Sequence, residues 1–154
     1  MMPRSARLSE SALDSIQAEL RSAPHGFETG GILLGTRGSQ TVKIVSAGGA
    51  GPAAVRTPTF FLRDLNATQL FAARELESSG AYWVGEWHSH PLGPAHPSDA
   101  DMRSYVRLIL DSELDFSTGV VSIIASPGEL GCSLYAWWCA ENSVEAMSLE
   151  LDRP

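Results

Sequence analysis

The stretch Ala81–His90, AYWVGEWHSH, with Pro91 directly behind it, decides how the chain is read. It is rich in aromatic and β-branched residues and stops at a proline, so it predicts a strand. Side chains alternate along a strand, which puts Glu86, His88 and His90 on one face and turns Trp83 and Trp87 away from it. Before the strand, Asp64 is a candidate N-cap for a helix running to about Ser79, with Gly80 as its stop. After it, the loop Pro91–Pro97 leads into a helix from about Ser98 to Asp111, where Met102, Tyr105, Val106, Ile109 and Leu110 recur at helical spacing. Val120–Ser126 is a continuous apolar strand, Pro127-Gly128 a turn, and LGCSLYAWWCA (Leu130–Ala140) another strand. The tail from Ser143 to Leu151 alternates and predicts an edge strand.

Nearer the N-terminus, Leu8–Ala23 predicts an amphipathic helix with Leu13, Ile16 and Leu20 on one face. Ser9 or Ser11 caps it and Pro24-His25-Gly26 ends it. GGILLG (Gly30–Gly35) and Thr41–Ala47 form a predicted hairpin across Arg37-Gly38-Ser39. Ala47–Pro58, rich in Gly, Ala and Pro, predicts a mobile loop, and a short TFFL segment follows. There are no repeats and no linker, so residues 1–154 read as one α/β domain. Its mixed sheet has about six strands flanked by about three helices.

Composition sets the outer limits. At 154 residues, 44% hydrophobic and 19% charged, the chain can bury roughly two thirds of its unfolded surface and is not disordered. Its net charge is −7, Lys43 is its only lysine, and it has no basic cluster. Nucleic acid and anionic membranes are therefore excluded as expected partners. No signal peptide or spanning segment is visible, and Cys132 and Cys139 lack CxxC spacing. The expectation is a cytoplasmic protein with two buried, unpaired thiols.

His88 and His90 converge from one strand face, and Asp101 follows at the start of the next helix, beyond three prolines. Two histidines and a carboxylate with one open position suit a catalytic Zn²⁺ better than a structural one. Ser98 and Asp101 also fit a capping box, a role compatible with ligation because a helix N-terminus is a good place to orient a carboxylate. Glu86 shares the ligand face, so alternation nominates it as a base, a ligand, or a residue that orients one. His25 and His96 read as loop histidines, Asp99 and Arg103 as solvated. Trp137 and Trp138 read as core or interface residues. A peptide contact by Trp87 or Phe27 is the less favoured alternative to packing.

These residues carry a resemblance. Glu28 opening ETGGILLG, then HSHP, then Ser98-x-x-Asp101 with ten residues between His90 and Asp101, is similar to the JAMM signature of JAB/MPN-domain metalloproteases. VGEWHSHP and RTPTFFLRD look most like the stand-alone prokaryotic JAB peptidases. The resemblance runs from the first helix to the Cys132–Cys139 strand and implies a cytidine-deaminase-like α/β fold. It also implies a zinc isopeptidase cutting after the tail of a ubiquitin-like protein, often in ubiquitin-like conjugation or antiphage systems. On that pattern His88, His90 and Asp101 would hold Zn²⁺ and an activated water. Glu28 would be the general base, ahead of Glu86, and Ser98 would donate to the oxyanion.

The implied partners are a ubiquitin-like protein or its conjugate and the activating or conjugating enzymes of the same system. A Gly-Gly tail could enter the cleft as an added strand. Three other readings compete. One is a peptidase for sulfur-carrier conjugates. Another is a catalytically silent MPN-type scaffold, which usually lacks one or more of the five residues kept here. The third is a nucleoside deaminase, which needs HxE and PCxxC. HExxH is also absent.

Overall fold

The computed structural model describes residues 2–116, 118–128 and 131–152. Its elements in chain order are β1 (Ser5–Ser9), α1 (Glu10–Ser22), β2 (Gly30–Arg37), β3 (Thr41–Ala47), β4 (Val55–Arg56) and β5 (Phe61–Leu62). They continue with α2 (Leu65–Ser79), β6 (Tyr82–Ser89), α3 (Asp99–Leu110), β7 (Val120–Gly128), β8 (Gly131–Ala140) and β9 (Ser143–Asp152). The helices begin where their caps place them. Ser9 Oγ accepts the Ala12 N–H at 3.0 Å, and Asp64 accepts the Ala67 N–H at 3.1 Å. Gly80 ends α2 in the left-handed region at φ 73°, where a Cβ would be strained.

Seven strands form one mixed sheet in the order β1-β3-β2-β6-β7-β8-β9. It closes on itself because β1 runs parallel to both β3 and β9. β4 and β5 make a separate two-stranded ribbon. This corrects the expectation of about six strands in two respects. Ser5–Ser9 is a strand with Ala6 and Leu8 buried, so the helix expected from Leu8 begins only at Glu10, behind its cap Ser9. Two apolar positions in so short a segment leave no readable period. The tail is not an edge, since β9 pairs antiparallel with β8 and parallel with β1. Local alternation reports a half-buried strand but not its distant partner. Pro127 and Gly128 remain paired in β7, opposite Cys132 and Gly131, rather than forming the turn. Leu130, where the apolar pattern starts β8, lies outside the described residues.

The main core joins α1 to the sheet through Ile16, Leu33, Ile44, Trp87, Ile123 and Trp138. A second cluster of Tyr105, Ile109, Phe116, Val120 and Cys139 seats α3. Trp87 is wholly buried and donates its indole N–H to the Gly48 carbonyl at 2.8 Å, so it is out of reach of any peptide. Cys139 is buried as expected, but Cys132 is exposed near the outer end of β8. Both are free thiols.

Gly30 lies opposite His88 in the β2–β6 register. A Cβ on Gly30 would run into the Trp87 carbonyl and the His88 backbone, so glycine lets β2 lie flat against the strand that carries the histidines. Gly30→Ala is expected to cost about 1–3 kcal/mol by overpacking and to displace His88. Thermal melting would check the loss of stability.

Candidate active site

The strand end, the loop after it and the start of α3 bring together the three groups that the spacing nominates. His88 Nε2 and His90 Nε2 are 2.9 Å apart, and Asp101 Oδ2 lies 3.1 Å from the first and 3.2 Å from the second. A tetrahedral zinc with bonds of about 2.0–2.2 Å separates its ligand atoms by about 3.3–3.5 Å, close to this triangle. The tautomer fits as well. His90 Nδ1 sits 2.7 Å from the Pro94 carbonyl, which can only accept, so Nδ1 carries a proton. In the neutral ring that leaves the Nε2 lone pair facing the site, whereas in the protonated ring Nε2 donates to Asp101. Three electron-pair donors meeting at one point suit a cation.

Asp101 also completes the capping box. Its Oδ2 accepts the Ser98 N–H at 2.8 Å, while its own N–H donates to Ser98 Oγ at 3.1 Å. Capping and converging on the histidines are thus done by one oxygen. Burial opposes ionisation of Asp101, but hydrogen bonds from His88 and His90 outweigh it and hold the carboxyl well below its usual range. The same bond to Asp101 raises the His90 pKa above its ordinary value, partly offset by burial.

These residues line a cavity of about 600 Å³, together with Glu28, Glu86, Arg63, Ser98 and Tyr105. Glu28 is 8% exposed. Burial pushes its carboxyl up to about 7, against the opposing pull of His88. Among the described residues no group hydrogen-bonds to that carboxylate, so it is free to meet a water or substrate.

Glu86 is on the same wall, yet its Oε1 is 2.8 Å from Arg63 Nη1 in an ion pair. Of the three parts that alternation leaves open to Glu86, the structure shows directly only this bond to Arg63. His25 and His96 are exposed loop residues, and Asp99 and Arg103 are exposed on α3, as expected. Composition and spacing give no sign of the part played by Trp137. Its indole N–H donates to the Ala95 carbonyl at 3.0 Å and its ring meets His96 edge-on at 4.6 Å. It therefore steadies the Pro91–Pro97 loop whose Pro94 carbonyl fixes His90. The expected mobile loop Ala47–Pro58 contains β4 and is tied down ahead of it, because Ala50 is buried and its N–H donates to Glu19 Oε1 at 3.2 Å.

Comparison with known proteins agrees with this architecture. The chain is 33% identical over 120 residues to a protein named CD-NTase/cGAS isopeptidase from Enterobacter hormaechei subsp. hoffmannii (strain UCI 50), covering 76% of this chain and 65% of that protein. A protein of the same name from Escherichia coli (strain TW11681) is 33% identical over 88 residues, 56% of each chain. The chain thus spans between half and two thirds of the length of these curated relatives. The solution structure of protein DSY2949 from Desulfitobacterium hafniense superposes with a TM-score of 0.72 at 22% identity, covering 97% of this chain and 94% of that one, and shares the fold. Residues 9–146 match the family described as prokaryotic homologs of the JAB domain, and the chain belongs to that family.

Proposed function

We propose that this chain is a zinc-dependent isopeptidase that hydrolyses the amide bond after the C-terminal tail of a ubiquitin-like protein. The reading is carried by one observation: His88, His90 and Asp101 present three ligand atoms within 3.2 Å of each other on the wall that holds Glu28. Two relatives carry the name CD-NTase/cGAS isopeptidase, which favours a substrate in which the tail is joined to a nucleotidyltransferase of that class. Activity in the cytoplasm and in an antiphage setting belongs to the same proposal. No described helix is long and apolar enough to cross a membrane.

His88, His90 and Asp101 would hold the zinc, which supplies Lewis acidity and a water made acidic enough to attack at neutral pH. Glu28, pushed up to about 7, is suited to accept that water's proton and return it to the leaving amine. Ser98 lines the cavity, and its Oγ already accepts the Asp101 N–H, leaving the hydroxyl proton to be donated to a developing oxyanion. The β4–β5 ribbon borders the same cavity through Phe60 and Phe61 and offers an extended tail a place to lie.

The test is release of a ubiquitin-fold protein from an amide conjugate with a CD-NTase-class enzyme, measured with zinc and with a chelator. Zinc-dependent release supports the reading. Purified protein without stoichiometric zinc overturns the mechanism, and bound zinc with no cleavage would point to a silent scaffold. Release of amino acids from a sulfur-carrier protein would move the substrate to that class.

Ser98→Ala is expected to lower kcat by about a hundred- to a thousand-fold and to destabilise the fold by about 1 kcal/mol through loss of the cap. Ser98→Thr should restore the stability. Kinetics and thermal melts on the two variants separate the roles.

A further inference from the structure

The base in this reading has an unusual support. Glu28's side chain takes no hydrogen bond among the described residues, so its position is set through its backbone. Its N–H donates to the Thr57 carbonyl at 2.7 Å, and the next residue is locked to β6, with Thr29 N–H on Ser89 Oγ at 3.0 Å and Ser89 N–H on the Thr29 carbonyl at 2.8 Å. Both flanks converge on one buried cluster. Glu19 Oε1 on α1 accepts Thr29 Oγ1 at 2.8 Å, Arg56 Nη2 at 2.8 Å and the Ala50 N–H at 3.2 Å, while Arg56 Nε donates to Thr29 Oγ1 at 3.0 Å. Thr29 is wholly buried, and the Glu19 and Arg56 side chains are only 16% and 20% exposed.

We infer that Arg56, with Glu19 and Thr29, forms a clamp that positions Glu28 from both sides of its backbone. Arg56 precedes Thr57, the carbonyl that accepts the Glu28 N–H, so one guanidinium fixes β4 and the Thr29 hydroxyl together. The clamp also ties the base to the β4–β5 ribbon, which borders the cleft. Glu19 stays ionised in this buried place: burial opposes it, but the bonds from Arg56 and Thr29 outweigh that and lower its pKa. Arginine is needed because Nε and Nη2 reach two acceptors at fixed angles, whereas a lysine can meet only one at a time. The three are positioning residues and touch no reacting atom.

The inference rests on Glu28 being the base, and a double-mutant cycle separates the two claims. The probe is ubiquitin joined through its C-terminal glycine to a fluorogenic aminocoumarin, with hydrogen exchange measured on the same proteins. Arg56→Ala is expected to lower kcat about ten- to a hundred-fold, with KM and zinc content unchanged and Arg56→Lys recovering part of the loss. In a Glu28→Gln background it should lower the residual kcat less than about two-fold, because a clamp acting through Glu28 has nothing left to position. The Glu28 and Thr29 amides should exchange faster in Arg56→Ala while those of Leu33 and Leu34 keep their protection.

Equal losses in both backgrounds, or unchanged protection at Glu28 and Thr29, overturn the clamp. Near-normal turnover by Glu28→Gln overturns the base, and the clamp with it. An inert Glu28→Gln beside a fully active Arg56→Ala overturns the clamp alone. If Arg56→Ala does not fold, Thr29→Val removes only the shared hydroxyl and should give the same pattern more weakly.

Discussion

Glu28→Gln should lower turnover by about a hundred- to ten-thousand-fold while the protein keeps its full complement of zinc. Glutamine has nearly the same size and shape, so the cavity wall and the backbone bond to Thr57 stay as they are. Glu28 is not one of the three converging ligands, so removing its charge leaves the ligand set intact. What is lost, on the proposed mechanism, is the group that accepts and returns a proton. Single-turnover kinetics beside zinc analysis would check this. Glu86→Gln is the matched control: Glu86 is held by Arg63 at 2.8 Å, and its loss should leave most of the turnover. An inert Glu86→Gln with a near-normal Glu28→Gln would transfer the base to Glu86.

The second large effect is on stability. Removing zinc is expected to lower the melting temperature by on the order of 10 °C, since a ligand at a thousand times its Kd contributes about 4 kcal/mol and each kcal/mol shifts a chain of this size by about 2–4 °C. His88→Ala should melt near the chelated protein and stop responding to zinc. The size of the shift depends on pH. In the metal-free protein the bond to Asp101 raises the His90 pKa, so that pair's contribution is full below about 6.5 and fades as pH rises through the higher folded value. Glu28 acts in the same direction: its carboxyl goes from an ordinary 4.5 to about 7, so the folded state binds the proton more tightly and loses stability between those values as pH rises. Asp101 is opposite in sign, and its contribution is lost only as pH falls below about 3.8.

Metal-free protein should therefore weaken from pH 5 to pH 8. Zinc, which needs unprotonated imidazole, should bind more tightly over the same range. The gap between zinc-bound and metal-free melting temperatures should then widen from pH 5 to pH 8. Glu28→Gln should flatten the metal-free curve by about 1–2 kcal/mol, the full shift being reduced by solvent at the cavity mouth. A gap that narrows with rising pH would contradict this account.

The parts of the molecule legible in the sequence are those written in local periods and caps. Asp64 and Gly80 bound α2 at the expected residues, and strand alternation with a helix start is enough to bring His88, His90 and Asp101 together. The parts that were not legible depend on distant partners. β1 has only five residues, and its pairing with β3 and β9 carries no local mark. The loop before β4 has the composition of a flexible segment, yet Glu19, on a helix face that its period leaves to solvent, reaches across to hold Ala50 and Arg56. The Trp137 bond to Ala95 spans 42 residues and was equally unmarked. Glu28 entered through resemblance alone, because no spacing rule connects it to residues so far along the chain.

The closed sheet bears on how the protein is made. Its seam sets Ser5 beside Ser148, so β1 leaves the ribosome long before the strand it pairs with. β2, β6 with the residue that follows it, and α3, which carry Gly30, His88, His90 and Asp101, all emerge before β9, so the candidate ligands can meet while the seam is still open. Pairings this distant make for slow folding. During that interval β1 and β8 each present an unsatisfied backbone edge, which favours association between nascent chains. Low temperature and dilute refolding should therefore raise the yield of monomeric protein more than added zinc does.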